Sequence, residues 1–232
     1  MDAGSIILNA KSKGRKKLLE HEAFEVLAEY KFPVLKFGLA KNEEEVIKIA
    51  DSIGYPVVLK IVSPDIVHKS DVGGVILNLT SSDDVKEGFK KIMLNVKKRT
   101  PNAKIEGVLV QEMVPSELEV IVGSTRDPTF GSVVTFGLGG IFVEVLKDVS
   151  FRVTPLTPVD ADEMIREIKA CRILEGYRGM PPRDLEAIKD ILLKVSKLML
   201  EVEEIQDVDL NPIMVFTQGK GAKVADARII LR

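Results

Sequence analysis

The stretch Tyr55-Pro56-Val57-Val58-Leu59-Lys60-Ile61-Val62-Ser63-Pro64-Asp65-Ile66-Val67-His68-Lys69-Ser70-Asp71-Val72-Gly73-Gly74-Val75 carries more information than any other part of the chain. An apolar strand over 56–62 delivers one lysine. A polar loop then holds a histidine and two adjacent glycines before a second apolar strand over 74–79. Lysine supplies a point positive charge, and glycines let backbone N–H groups approach phosphate oxygens closely. Lys60 with Gly73 and Gly74 therefore reads as a phosphate-holding loop, although a lysine at a strand end is also an ordinary surface residue. His68 is one of two histidines. A lone histidine is more often structural, but a polar loop favours function, and imidazole can accept a phosphoryl group as a nucleophile. The other, His21, falls in a helix and reads as ordinary surface.

Around this stretch the pattern is helix, strand, helix, strand, strand, helix. Leu19, Ala23, Val26 and Tyr30 recur at helical spacing, and Pro33 ends that helix by restricting Phe32. A short strand near 34–39 follows. Asn42 is a good N-cap before Glu43, Glu44 and Glu45, Val46, Ile49, Ala50 and Ile53 face inward, and Gly54 is the stop. A helix from Ser82 carries Val85, Phe89, Ile92 and Val96. The expected class is α/β (α+β), with open mixed sheets and helices packed against them. Beyond Pro101, the runs Val108–Val114 and Leu118–Gly123 suit an antiparallel pair joined by Pro115-Ser116-Glu117. A strand at Val133–Phe136 enters Gly137-Leu138-Gly139-Gly140, 160–200 is mostly helical, and strands near 205–210, 213–216 and 223–231 close the chain. Three parts are expected: a flexible basic arm over 1–17, a lobe over 18–107 and a second lobe over 108–232, with a cleft between the lobes.

The 232 residues suffice for a proper core, and 45% hydrophobic with 29% charged residues is ordinary globular composition. A net charge of −2 gives no drive toward nucleic acid or anionic membrane. No run approaches a membrane span, Cys171 has no internal disulfide partner, and the start Met1-Asp2-Ala3-Gly4-Ser5 is acidic where a secretory leader is basic. A cytoplasmic chain is expected.

Two further groups of residues suggest chemistry. Gln111-Glu112-Met113-Val114 lies where the lobes should join, and backbone groups there can recognise an adenine edge. Glu119 interrupts an apolar strand and suits ribose hydroxyls, or it simply faces outward. Asp207-Val208-Asp209-Leu210-Asn211-Pro212 precedes Asp226 in Val224-Ala225-Asp226-Ala227-Arg228. Asn211 and Asp226 oxygens suit magnesium, which takes one or two protein oxygens plus phosphates; an Asx turn at Asn211-Pro212 is the alternative. Zinc spacing and a Walker lysine motif are both missing, and Gly137-Leu138-Gly139-Gly140 does not fit the dinucleotide fingerprint.

Lys60, the loop His68–Gly74, Val110-Gln111-Glu112-Met113, Arg126-Asp127-Pro128-Thr129-Phe130-Gly131, Phe136-Gly137-Leu138-Gly139-Gly140 and Asp209-Leu210-Asn211-Pro212 occur in this order. Together they resemble the ATP-grasp (beta) subunit of ADP-forming acetyl-CoA synthetases, relatives of succinyl-CoA synthetase, over roughly residues 18–231. The resemblance implies an ATP-grasp fold holding ATP or ADP with Mg2+. It implies Lys60 on phosphates, Gly73 and Gly74 covering them, Gln111, Glu112, Met113 and Val114 at adenine, and Glu119 at ribose. It further implies Asn211 and Asp226 on magnesium, Asp209 orienting a phosphohistidine, and His68 as a second phosphoryl carrier. The implied reaction interconverts acyl-CoA, ADP and phosphate with the free acid, CoA and ATP. A CoA-binding alpha subunit is the implied partner, in an α2β2 heterotetramer. A non-catalytic ATP-grasp regulatory or assembly domain is the alternative. One departure stands out: where many ATP-grasp enzymes place another phosphate lysine, the first helix shows Glu22, Ala23 and Phe24, leaving Lys16, Lys17 or Lys36 as substitutes. Arg152 and Arg178 are further candidates for phosphate or interface contacts.

Overall fold

The computed structural model describes residues 2–66, 68–115, 117–140, 143 and 146–232. Val67 of the expected histidine loop and Ser116 of the expected strand connection lie outside the described residues. Two compact units result, one of Leu35–Pro115 and one of Met1–Val34 together with Ser116–Arg232. These boundaries differ from the expected lobes at 18–107 and 108–232, and the first 17 residues explain part of the difference. They hold helix α1 (Ala3–Ser12), N-capped by Asp2 on the Ser5 N–H at 2.9 Å and burying Ala3, Ile6, Ile7 and Ala10. After it the chain runs beside the C-terminal strand, where the Leu231 N–H donates to Lys16 O at 2.7 Å and the Leu18 N–H to Ile229 O at 3.0 Å. Helix α2 (Glu20–Glu29) follows, with Ala23, Phe24, Val26 and Leu27 buried. The N-terminal 34 residues therefore belong with the C-terminal half.

The unit Leu35–Pro115 is a four-stranded antiparallel sheet under two helices. Its elements are β1 (Phe37–Ala40), α3 (Glu43–Ile53), β2 (Val57–Val62), β3 (Val75–Leu79), α4 (Ser82–Arg99) and β4 (Gly107–Glu112), with strand order β1-β4-β2-β3. Asn42 caps α3 through the Glu45 N–H at 2.9 Å, and Ser81 caps α4. Strand alternation turns Val57, Leu59, Ile61, Val108 and Val110 toward Val46, Ala50, Val85, Ile92 and Val96 of the helices. Val58, Lys60, Leu109 and Gln111 consequently share the opposite face.

In the other unit, β5 (Leu118–Asp127), β6 (Gly131–Leu138), β7 (Val149–Val153), α5 (Pro158–Glu167), α6 (Cys171–Leu174), α7 (Leu185–Glu201), β8 (Ile205–Val215), β9 (Ala222–Val224) and β10 (Ala227–Leu231) follow in sequence. The sheet order is β10-β8-β5-β6-β7, with β9 also paired to β8. Helix α7 packs its buried stripe of Ile188, Ile191, Leu192, Val195, Leu198 and Met199 on β5, β6 and β8. Two sequence expectations are corrected here. The runs 108–114 and 118–123 are not a hairpin: β4 pairs with β1 and β2, and β5 with β6 and β8. An apolar run reports that a strand is buried, not which strand lies beside it. The two strands expected at 205–210 and 213–216 are one bulged strand, since Val120 pairs with Ile213 but Val122 with Leu210. Pro212 lies inside the bulge, where its missing N–H takes nothing from the ladder.

Arg126 locks this sheet to α7. Its guanidinium donates to Ile205 O at 2.7 Å, Ser132 Oγ at 3.1 Å, Val202 O at 2.9 Å and also Met199 O. These include carbonyls that a helix C-terminus leaves without intrahelical partners. Asp127 folds the following turn by accepting from the Thr129 and Phe130 N–H groups at 2.7 and 2.9 Å. The Arg126–Gly131 motif is thus an architectural one.

Candidate functional site

Lys60 sits within β2, opposite Leu109 on one side and Val75 on the other, and is half-buried. The loop after β2 returns directly beside it, because the Ile61 N–H donates to Gly74 O at 2.7 Å. The loop is bonded at both ends. Upstream, the Lys104 N–H donates to Asp65 Oδ2 at 2.6 Å and the Asp65 N–H to Ser63 Oγ at 3.1 Å. Downstream, Asn95 Nδ2 donates to Gly73 O at 3.2 Å and Arg99 to Asp71 O, both from α4. His68 lies between these anchors, exposed and without a hydrogen bond to a described residue.

The glycine pair has a different job from the one its sequence suggests. The Gly73 N–H donates to Ser70 O at 3.0 Å and the Gly74 N–H to Lys69 O at 2.7 Å, so both donors are spent inside the loop. A Cβ at Gly74 would stand 2.5 Å from Ile61 Cγ2. One at Gly73, where φ is +65°, would stand 2.7 Å from Asn95 Nδ2. Close packing and backbone conformation require glycine here, whereas phosphate contact through these amides does not.

The segment Gln111–Val114 is committed to the sheet to different degrees. Gln111 is buried on the face shared with Lys60. The Glu112 N–H donates to Lys36 O at 2.8 Å, and its carboxylate accepts from the Lys36 N–H at 3.1 Å. The Met113 N–H donates to Pro56 O at 3.1 Å, while that of Val114 has no partner among the described residues. For an adenine edge, Val114 is therefore the free backbone donor of the four.

In the six-stranded unit the remaining candidates gather on the sheet face turned away from α7. Asp207, Asp209 and Asn211 alternate along β8 while Val208 and Leu210 are buried between them. The Asn211 N–H donates to Asp226 O at 3.2 Å, placing the two residues on adjoining strand ends. One Asp226 carboxylate oxygen accepts from the Ala227 N–H at 2.8 Å. An amide oxygen and a carboxylate form a hard donor set that suits magnesium, with phosphates and water completing the shell. Among the described residues no group of three or more His, Cys, Asp or Glu forms a self-sufficient metal centre. Asp209 faces Arg228 across the β8–β10 ladder, with Nη2 and Oδ2 3.3 Å apart. Glu119 is exposed on β5, opposite Met214, which in turn faces Lys223 of β9. The Gly139 N–H donates to Glu119 O at 2.8 Å, and a Cβ at Gly139 would lie 3.0 Å from Glu119 Cβ, so the close approach needs glycine.

Arg228, Met214 and Lys223 are neighbours of the candidate residues that sequence reading does not pick out. Arg228 could have been found by its position two residues after Asp226. The others depend on register across the bulge, which no local pattern reveals. Glu22, standing where a second phosphate lysine was sought, is paired bidentately with Arg15 at 2.5 and 2.6 Å. Burial alone would raise its carboxyl, but Arg15 and the Leu19 N–H outweigh that and hold it below its ordinary range. Lys16 and Lys17 run beside β10, whereas Lys36 is exposed next to Glu112. Arg152 is engaged by Glu163 and Glu167 at 3.5 and 2.7 Å, and Arg178 stacks over Tyr177 at 5.3 Å.

Two mainly antiparallel sheets with helices, one bearing a strand lysine and the other a row of carboxylate and amide oxygens, define a class. The chain belongs to the ATP-grasp domain family, whose model matches residues 9–231. It is 52% identical to the acetate–CoA ligase (ADP-forming) I beta subunit of Pyrococcus furiosus, covering 99% of this chain and 97% of that one. It is 54% identical to a longer Archaeoglobus fulgidus acetate–CoA ligase (ADP-forming) I, of which it spans 30%. Among solved structures, acetyl-coenzyme A synthetase 1 of Ca. Korarchaeum cryptofilum with coenzyme A and Ca-AMPCP superposes with a TM-score of 0.95 at 54% identity, covering 99% of this chain and all of that one. The same protein with coenzyme A and Mg-AMPPCP gives 0.89 at 49% identity, over 99% of this chain and all of that one; there its phosphohistidine segment points towards the nucleotide-binding site.

Proposed function

We propose that this chain is the nucleotide-binding beta subunit of an ADP-forming acetyl-CoA synthetase. It moves a phosphoryl group between a histidine and ADP, so that acyl-CoA, ADP and phosphate interconvert with free acid, CoA and ATP. The observation that carries this reading is the corner of β8 and β10, where Asp209, Asn211 and Asp226 meet within a few residues of ladder. Asn211 and Asp226 hold magnesium there, whose charge offsets that of the phosphates. Asp209 orients the incoming phosphohistidine. Lys60 contacts phosphates, Val114 offers its N–H and the Gln111–Met113 strand end its surface to adenine, and Glu119 takes the ribose. His68 acts as a second phosphoryl carrier, its exposed ring presented by a loop tied down on both sides.

The partner is a CoA-binding alpha subunit in an α2β2 assembly, which supplies the acyl chemistry and selects the acid. A cytoplasmic setting agrees with the single buried thiol of Cys171. Among the described residues no helix is long and apolar enough to cross a membrane. The test mixes this chain with its cognate alpha subunit, ADP, phosphate, magnesium and acetyl-CoA. ATP should form, and folded subunits that assemble yet make none would overturn the reading.

A further inference from the structure

We propose that Arg228 is a further catalytic residue, whose guanidinium contacts the phosphoryl group in transit and rests on Asp209 between turnovers. The proposal builds on the phosphoryl-transfer reading above. Arg228 is the register partner of Asp209 and lies two residues beyond Asp226. It is therefore one strand spacing from the carboxylate assigned to the phosphohistidine and next to the magnesium donors. Asp207, Asp209 and Asp226 would together repel a polyphosphate. Asp207 is already taken by the Thr125 hydroxyl, and Arg228 is the cation in register with the corner.

What Arg228 does not do supports the same conclusion. Arg126 makes four bonds, two to the C-terminal end of α7 and two within the sheet, and Arg152, Arg166 and Arg183 each pair with carboxylates. The Arg228 side chain has one polar contact among the described residues, the 3.3 Å approach to Asp209, with side-chain exposures of 54% and 38%. Such an exposed pair is weakly held. A phosphoryl group, with several oxygens matched to the guanidinium fork, is the stronger partner. In the ATP-forming direction, a β-phosphate oxygen of ADP attacks phosphorus as the P–N bond to the imidazole breaks. The electron pair of that bond stays on the ring nitrogen, which then takes a proton from solvent. Arg228 spreads positive charge over the non-bridging oxygens during this exchange.

The experiment uses the complex with the alpha subunit and the variants Arg228→Gln, Arg228→Lys and Asp209→Asn, with folding checked by thermal melting. Arg228→Gln should lose about 10³–10⁵-fold in turnover. Its affinity for a non-hydrolysable ATP analogue should fall about tenfold by calorimetry, while ADP affinity stays within about threefold. Arg228→Lys should recover part of the loss, since it keeps the charge without the fork. Turnover of Arg228→Gln within about threefold of wild type would refute the proposal. So would an Arg228→Gln change that has no effect once Asp209→Asn is present, because Arg228 would then act only through that carboxylate. A wild-type complex that makes no ATP fails the parent reading and takes this one with it.

Discussion

The loop 69–74 and the corner formed by Asp209, Asn211, Asp226 and Arg228 are both short, polar and next to strands, yet they use their polar groups in opposite ways. In the loop, the Gly73 and Gly74 amides close on the loop's own carbonyls, and α4 binds two more carbonyls from outside. The Gly73 and Gly74 amides are therefore not available to a ligand, and the proposed role of this segment rests on the side chain of His68 just before it. At the corner the ladder does the backbone bonding, and side-chain oxygens stand outward on a rigid frame. A glycine-rich loop beside a lysine is therefore not sufficient evidence of a phosphate cradle; where its N–H groups point decides the matter.

The strongest way to break this comparison is His68→Ala in the assembled complex. Turnover should fall at least about 10³-fold while ADP affinity by calorimetry stays within about threefold; normal turnover would remove His68 from the mechanism. Asp226→Ala probes the corner. Turnover should drop by about 10²–10³-fold and the magnesium concentration giving half-maximal rate should rise. An unchanged magnesium dependence would show that the ion is held elsewhere. Gly74→Ala sharpens the claim that the loop glycines are needed for fit. It should cost about 1–3 kcal/mol in urea unfolding, through the 2.5 Å approach to Ile61; unchanged stability would contradict the packing account.

The smallest effect is expected at Glu22, a carboxylate committed wholly to architecture. Its folded pKa lies below the ordinary 4.5, so the Arg15 pair contributes stability above that pH and loses it as pH falls through the lowered value. Glu22→Gln should lower the urea midpoint at neutral pH and flatten its decline toward about pH 3. Parallel curves for the variant and wild type would mean that the pair contributes nothing to folding.

Helices and strands between about residues 19 and 100 were legible because their signals are local, whereas α1 was missed, residues 1–17 being expected as a flexible arm. Asn42 and Gly54 bracket α3, and the alternation of Val57, Leu59 and Ile61 shows which face of β2 meets the helices. Partnership between distant segments was not legible. The pairing of β5 with β8, and of residues 16–18 with β10, is non-local, and apolar runs of similar composition fit several partners. Of the candidate site, Lys60, His68, Asn211 and Asp226 were singled out from chemistry and order alone. The spent amides of Gly73 and Gly74 could not be, because hydrogen-bond direction leaves no trace in composition. Arg228 stands two residues after Asp226 in the sequence, but its pairing with Asp209 across the ladder could not be read there.

The interrupted composition of the larger unit has a consequence for biosynthesis. Residues 35–115 form one uninterrupted compact unit, so that unit can complete itself while the ribosome is still adding the rest. Residues 1–34 emerge ahead of that unit but must wait, since the segment at Lys16–Leu18 finds its lasting neighbours only when Ile229 and Leu231 have been translated. During that interval α1 and α2 present their apolar sides without a companion sheet, and a nascent-chain chaperone has most to protect there.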